Sequence, residues 1–166
     1  MLTIHRSRHA LIASAAVLAV LASAVVPAAA SQAAGAKGPV VSTATTSLGR
    51  ILVDARGHTL YLFGKDSNGK SACSGACAVA WPPLIANGKP RAGAGAEASR
   101  LGTTRRADGR LQVTYNRHPV YTFVKDTKRG QTNGEGLNAF GGTWDALSPA
   151  GAKVVKHADS SGTGGY

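Results

Sequence analysis

The alternation of apolar and polar positions predicts two β-hairpins related by an internal repeat. Residues 51–66, ILVDARGHTLYLFGKD, align without gaps with residues 111–126, LQVTYNRHPVYTFVKD, and six of the sixteen positions are identical. Each segment reads as a β-prone run, a turn and a second β-prone run, and Gly57 supplies the positive φ that a tight connection requires. Two copies are too few for a solenoid, so we predict one pseudo-symmetric domain.

The second strand of each hairpin carries two aromatic residues spaced two positions apart. They are Tyr61 and Phe63 in the first unit and Tyr121 and Phe123 in the second. Because side chains alternate across a strand, each aromatic pair shares one face, while aliphatic residues such as Leu62 take the other. Apolar side chains on both faces favour a sheet that is covered on each side.

Other segments indicate little helix. Residues 101–105 and the Asp108-Gly109 turn predict an additional strand, and hence a three-stranded meander in the second unit. Helical propensity is confined to residues 76–81, where Pro82-Pro83 ends it. Residues 86–99, rich in Gly, Ala and Pro, predict a loop between the units. The expected fold is mostly β: a single domain of two related hairpin-based units forming antiparallel sheet, with at most short helices.

The N-terminal segment is typical of a secretory signal. A basic stretch precedes an apolar run over residues 10–26, and the small residues 28–30 suit a signal peptidase, which predicts cleavage before Ser31. An uncleaved anchor is the alternative, because the apolar run approaches the length of a membrane span. No cysteine follows the run to accept a lipid. We therefore expect a secreted or cell-envelope protein without a transmembrane span after cleavage.

The composition of residues 31–166 predicts a linker, a folded core and a tail. Residues 31–47 bury too little apolar surface to offset ordering entropy and predict a flexible linker. Residues 157–166 predict a flexible tail. The core is expected over residues 48–156, with units at about 50–86 and 100–150, which is the usual size of one domain.

The charge is strongly basic. The chain has 19 Lys and Arg against 8 Asp and Glu, a net charge of +11, and removal of residues 1–30 would leave +9. Arg105, Arg106 and Arg110 could form a basic ridge across the meander that binds anionic envelope polymer or lipid headgroups. Nucleic acid is disfavoured because no aromatic stacking residues accompany the basic ones. A scattered, solvated set of charges is the alternative. The oligomeric state is left open.

The two cysteines lie four residues apart, as Cys73-Ser-Gly-Ala-Cys77. In an exported protein this spacing predicts an intramolecular disulfide, because the compartment is oxidising and Gly75 lets the short loop bend. The alternative is an envelope thiol-redox or copper-handling role, since two thiolates at this spacing can bind Cu(I).

Recognisable catalytic patterns are absent from the sequence. It has neither a Gly-x-Ser-x-Gly elbow nor the Lys-Ser/Thr of a phosphate-binding loop. His58 and His118, equivalent by the repeat, lack local partners at ligand spacing and are expected to be solvated turn residues. We therefore assign no catalytic residue, metal or cofactor, and favour a noncatalytic binding or interaction module, although enzymatic activity remains open.

A motif common to both units resembles a known family. Residues 61–66 and 121–126 both fit Tyr-x-aromatic-x-x-Asp. Together with Cys73-x3-Cys77, Trp81-Pro-Pro and Gly-Gly-x-Trp144, this is similar to the bacterial secreted-repeat family with a Tyr-x4-Asp motif. The resemblance implies an exported protein or lipoprotein of unestablished biochemical function.

The aspartates of the motif, Asp66 and Asp126, are each followed by turn residues. This context predicts structural aspartates that accept backbone N–H bonds and start Asx-type turns. In the functional alternative, each Asp pairs with the tyrosine of its own motif around a ligand.

Overall fold

The computed structural model describes residues 37–154, which form nine strands, one α-helix and one 3-10 helix. The helix α1 spans Ala76–Ala80, and the 3-10 helix spans Ala98–Arg100. The strands are β1 Val40–Thr46, β2 Gly49–Asp54, β3 Tyr61–Phe63, β4 Arg91–Ala92, β5 Leu101–Arg105, β6 Leu111–Tyr115, β7 His118–Pro119, β8 Leu137–Ala139 and β9 Gly142–Ala146.

The strands form three small sheets, ordered β2-β1-β4, β3-β9-β8 and β5-β6-β7. Every pairing is antiparallel except that of β1 with β4. The two units meet at Tyr61 and Tyr121, whose backbones exchange N–H···O=C bonds of 2.8 and 3.0 Å. This architecture confirms the mostly β fold, the meander of β5, β6 and β7, and the short helix.

The segments that carry the tryptophans are exchanged between the units. Leu147 in the second unit donates its N–H to Leu60 of the first, and Leu84 in the first donates to Val120 of the second, both over 3.0 Å. The same bond thus occurs twice, related by the pseudo-two-fold axis between the units. In each unit, the residue before the motif tyrosine is therefore hydrogen-bonded to a segment of the other unit.

The two hairpins turn differently. In the first, three residues connect Asp54 to His58, and Gly57 adopts the predicted positive φ of 85°. In the second, only Asn116 and Arg117 lie between the paired strands, with φ of 47° and 68°, as a type I′ turn requires.

This difference in loop length shifts the register of the first strand. Leu60 donates its N–H to Leu52, whereas Val120 donates to Val113. Leu52 is therefore the structural counterpart of Val113, and the identity of Val53 with Val113 in the ungapped alignment is not a structural equivalence.

Residues 40–46, which the composition assigns to the linker, form β1. The strand pairs with β2 over six positions and buries Val41 completely. Its Val and Thr residues are β-branched and suit a strand despite the low overall apolar content. The ordered domain thus begins before the predicted residue 48. The predicted loop of residues 86–99 contains β4 and the start of the 3-10 helix.

The core has two parts, one on each side of the central strands. The aromatic side contains Ile51, Val53, Tyr61, Phe63, Cys73, Cys77, Trp81, Tyr121, Phe123, Trp144 and Ala146. The aliphatic side contains Val41, Leu52, Leu60, Leu62, Val113, Tyr115, Val120 and Leu147. Along the second strand of each hairpin, the predicted alternation is confirmed: Tyr61, Phe63, Tyr121 and Phe123 lie on the aromatic side, and Leu60, Leu62 and Val120 on the aliphatic side.

Between residues 37 and 154, no helix is long and apolar enough to cross a membrane. The predicted signal of residues 1–30 and the predicted tail of residues 157–166 lie outside the described residues.

Candidate functional site

The tyrosine of each motif is hydrogen-bonded to the aspartate of the other. Tyr61 donates its hydroxyl proton to Asp126 Oδ2 over 2.6 Å, and Tyr121 donates to Asp66 Oδ2 over 2.8 Å. The antiparallel contact between the two tyrosine backbones positions both bonds. The two motifs therefore form one reciprocal site across the boundary between the units, and the aspartate partner of each tyrosine belongs to the other motif.

The second oxygen of each carboxylate holds a loop. Asp66 Oδ1 accepts the N–H of Ala72 over 2.7 Å, and Asp126 Oδ1 accepts the N–H of Asn133 over 2.9 Å. The aspartates thus accept backbone bonds, but from residues six and seven positions further on instead of from the turn immediately following. Each carboxylate joins the loop of its own unit to the tyrosine of the other.

Burial controls the ionisation of this site. It raises the pKa of both Tyr61 and Tyr121, and the neighbouring carboxylates raise it further. Burial also raises the pKa of Asp66, although the Ala72 N–H and the Tyr121 hydroxyl oppose that shift. Because the phenols remain protonated, they act as fixed hydrogen-bond donors to the carboxylates.

A column of stacked aromatic rings lies beside the Tyr–Asp pairs. Its order is Phe63, Trp144, Trp81, Phe123, with centroid separations of 4.1, 3.9 and 4.1 Å. Tyr61 meets Trp81 edge-on at 5.3 Å, and Tyr121 meets Trp144 in the same way at 5.2 Å. The two tryptophans related by the repeat are thus in direct contact at the centre of the core.

The predicted disulfide joins Cys73 and Cys77 and is buried beside this column. The bond uses both thiols, so the folded structure offers neither as a free copper ligand. Nothing in the geometry favours the thiol-redox or copper alternative.

Arg106 is buried, with only 7% of its surface exposed. Its guanidinium donates to the Cys73 carbonyl over 2.7 Å and to Gln112 Oε1 over 2.6 Å, and lies 2.9 Å from Ser71 Oγ. Ser71 Oγ is also 2.8 Å from the Tyr121 hydroxyl. Arg106 therefore links the disulfide loop, β6 and the Tyr–Asp site. This buried structural role differs from the exposed position predicted for Arg106.

The other two arginines of the predicted ridge are exposed. Arg105 donates to the Gly109 carbonyl over 2.8 Å, and Arg110 forms a 2.8 Å ion pair with Asp108. This pairing lowers the pKa of Asp108 to about 2. Since Arg106 points into the protein, the three arginines do not form one continuous exposed ridge.

The repeated histidines have different surroundings. His58 Nδ1 lies 3.3 Å from Asp54 Oδ2. His118 is largely exposed, and the desolvation of its ring and the nearby charge of Arg117 lower its pKa. Within the described part of the chain, no group of three or more His, Cys, Asp and Glu residues could hold a metal ion.

The fold and the site define a two-unit β domain whose halves are joined by reciprocal hydrogen bonds. A family model described as a secreted repeat of unknown function matches residues 42–85 and 102–148, which correspond to these two units. The chain belongs to this family of secreted repeats, and its export follows from that membership. No curated protein and no solved structure matches it.

Proposed function

We propose that this secreted domain is a noncatalytic module that binds phosphodiester-bearing anions of the cell envelope through its basic surface. The observation that carries this proposal is that most acidic side chains are bound within the domain, whereas a much smaller share of the basic side chains is. Of the seven carboxylates in residues 37–154, six accept a hydrogen bond from within the chain. Of the sixteen Lys and Arg residues in the same range, five donate a side-chain hydrogen bond to a group within the chain. The surface therefore carries a large excess of positive charge.

Three exposed basic residues lie on two segments of the chain that a backbone hydrogen bond holds together. The Gly130 N–H donates to the Gly57 carbonyl over 3.1 Å and holds the loop of the second unit against the turn of the first. The Arg129 side chain packs so closely over Gly57 that a Cβ there would lie 2.6 Å from its Nε. Arg56, Lys128 and Arg129, all exposed, form what we call the hairpin-loop cluster. Arginine donors in such a cluster suit phosphate oxygens.

The absence of a catalytic role is inferred from the hydrogen bonds that the two motif aspartates already make. Asp66 and Asp126 are the carboxylates with the closest tyrosine contacts, and each already holds one phenol and one backbone N–H. Asp126 is 4% exposed. A substrate would have to displace these bonds, which help to join the two units.

The proposal is tested by cosedimentation with phosphatidylglycerol vesicles and by affinity electrophoresis in glycerol-phosphate polymer, each over a salt series. Phosphatidylcholine vesicles are the neutral comparison. We expect weak binding that salt abolishes, because exposed charges are screened over about 8 Å at physiological ionic strength. The two anionic probes distinguish headgroups from polymer. Equal retention on neutral and anionic vesicles, with no retardation by the polymer, would refute the proposal.

A charge-matched pair of variants tests the cluster itself. The first replaces Arg56, Lys128 and Arg129 with Glu, and the second replaces three exposed lysines elsewhere, Lys65, Lys70 and Lys153, with Glu. Both change the net charge equally. A larger loss of binding in the first variant supports the hairpin-loop cluster, whereas equal losses would indicate that only net charge matters.

A further inference from the structure

A second surface, separate from the hairpin-loop cluster, lies between the outer edges of β4 and β5. It is a cleft of about 880 Å³. Its apolar lining includes Ala86, Ala98, Leu101 and Leu111, and its cationic lining is Lys89 and Arg91. Within residues 37–154, β4 pairs only with β1 and β5 pairs only with β6, so each strand ends its sheet with one unpaired edge.

The hydrogen bonds of β5 show which residues present free backbone groups. Asn116 donates its N–H to the Arg100 carbonyl over 2.8 Å, and Arg106 donates to the Arg110 carbonyl over 2.9 Å. In an antiparallel ladder such bonds recur at every second residue. Gly102 therefore faces β6, and the N–H and C=O of the exposed Thr103 face away from it into the cleft that Thr103 lines.

The same reasoning applies to β4. Arg91 donates its N–H to the Pro39 carbonyl over 2.9 Å, and Gly93 donates to the Val41 carbonyl over 2.7 Å. The backbone groups of the residue between them, Ala92, point away from β1. Ala92 lines the same cleft as Thr103. Two unpaired strand edges thus border one apolar cleft.

Exposed edges are usually protected by charge, proline or a bulge. Here Leu111, 38% exposed, borders the cleft from β6 beside the open edge of β5. Lys89 and Arg91 supply positive charge, and no acidic residue of the described chain lines the cleft. An extended peptide would satisfy both donors and acceptors of the edge, whereas an anionic polymer without N–H groups would satisfy the donors alone.

We propose that this cleft binds an extended, acidic peptide segment of another exported protein by β-strand addition. Main-chain hydrogen bonds to Thr103 would supply affinity. Alternate side chains of the peptide would be apolar toward Leu101 and Leu111 and carboxylate toward Lys89 and Arg91. This partner and surface go beyond the phosphodiester binding proposed above, and each can fail without the other.

The test uses the folded, exported chain and a blocked peptide, acetyl-Ser-Val-Glu-Val-Glu-Val-Ser-amide, in an NMR and calorimetric titration. A peptide with both Glu replaced by Lys is the charge control. We expect saturable binding of the acidic peptide, at least tenfold weaker binding of the basic one, and slowed exchange of the Thr103 amide. No saturable binding of the acidic peptide, or equal binding of the two, would overturn the proposal.

Two variants separate strand addition from general attraction. Thr103→Pro removes an outward-facing N–H and the threonine side chain and fixes φ, which an edge strand tolerates, whereas Thr103→Ala removes the side chain but retains the N–H. We expect loss of binding in the first and retention in the second. Lys89→Glu combined with Arg91→Glu should reverse the preference between the peptides. Unchanged binding by folded Thr103→Pro, or edge pairing between two copies of the chain seen by sedimentation, would refute peptide addition.

Discussion

Tyr61 and Asp126, 65 residues apart, are joined by a 2.6 Å hydrogen bond across the boundary between the two units. The equivalent bond from Tyr121 to Asp66 runs in the opposite direction. The tyrosine of each Tyr-x4-Asp motif donates its hydroxyl proton to the aspartate of the other motif, and not to the aspartate of its own. The repeat therefore encodes a fold that is complete only when two units are present.

A double-mutant cycle tests this crossed pairing. Tyr61→Phe removes the donor to Asp126, and Asp126→Ala removes the acceptor and releases the Asn133 N–H. Each change should lower the free energy of unfolding by about 1–3 kcal/mol, because a buried partner is left unsatisfied. Urea denaturation of the single and double variants should give a coupling energy of about 1–2 kcal/mol.

The control for that cycle combines Tyr61→Phe with Asp66→Ala, the aspartate of the same motif. Asp66 holds Tyr121 instead, so the two effects should be closer to additive. A coupling of Tyr61 with Asp66 as large as that with Asp126 would contradict the crossed arrangement.

Alkaline pH should unfold the domain through its buried tyrosines. The ordinary pKa of 10.0 is raised in the folded state at both Tyr61 and Tyr121. Their stabilising contribution is complete below pH 10 and is lost as the pH rises toward the folded pKa, because only the unfolded chain releases those protons. The free energy of unfolding should fall by about 1.4 kcal/mol per pH unit for each tyrosine.

Urea denaturation of the parent and Tyr61→Phe at a series of pH values above 10 measures this slope. The variant should show the smaller dependence. Absorbance titration should also show at least two phenols, those of Tyr61 and Tyr121, that ionise only as the chain unfolds. Ionisation of all four tyrosines in the folded domain would disprove the burial argument.

The strands of the two hairpins and their faces could be predicted because their signals are local, whereas β1 and β4 lie in segments predicted as linker and loop. The spacing of Tyr61 and Phe63 places both on one side of a strand whatever the strand pairs with. The crossed hydrogen bonds could not be predicted in this way, because a pairing within each motif satisfies the same sequence pattern. Only the contact between the Tyr61 and Tyr121 backbones decides between the two arrangements.

The burial of Arg106 could not be predicted from the sequence for a different reason. Arg106 directly follows β5 in a run of basic residues, which suggested an exposed ridge. Its burial depends on the Cys73 carbonyl, which is 33 residues away, and on Gln112 of the neighbouring strand. Such a set of partners is a property of the tertiary fold and leaves no periodic signal in the sequence.

Removal of the disulfide should weaken the domain without unfolding it. The bond closes a loop of sequence separation four, so Cys73→Ser with Cys77→Ser should cost about 2 kcal/mol. The Arg106 bond to the Cys73 carbonyl still anchors the segment before Trp81. Thermal unfolding should therefore shift to lower temperature, while the near-UV circular dichroism of the stacked tryptophans is retained at room temperature. Loss of that signal in the native variant would show that the disulfide is required for the aromatic column.

Gly134 lies against the rings that connect the two units. A Cβ at this position would lie 2.7 Å from Trp81 Cη2 and 2.9 Å from Tyr61 Cζ. Neither ring can move freely, because Trp81 is stacked on both sides and the Tyr61 hydroxyl is bound to Asp126. Gly134→Ala should therefore cost about 3 kcal/mol through overpacking. Gly136→Ala is the matched control, since its φ of +70° strains the backbone but its Cβ would meet no atom within 4 Å, and it should cost about 1 kcal/mol. Guanidinium denaturation midpoints that fall equally in both variants would mean that the Trp81 and Tyr61 rings yield to the added methyl group, and that close packing does not constrain Gly134.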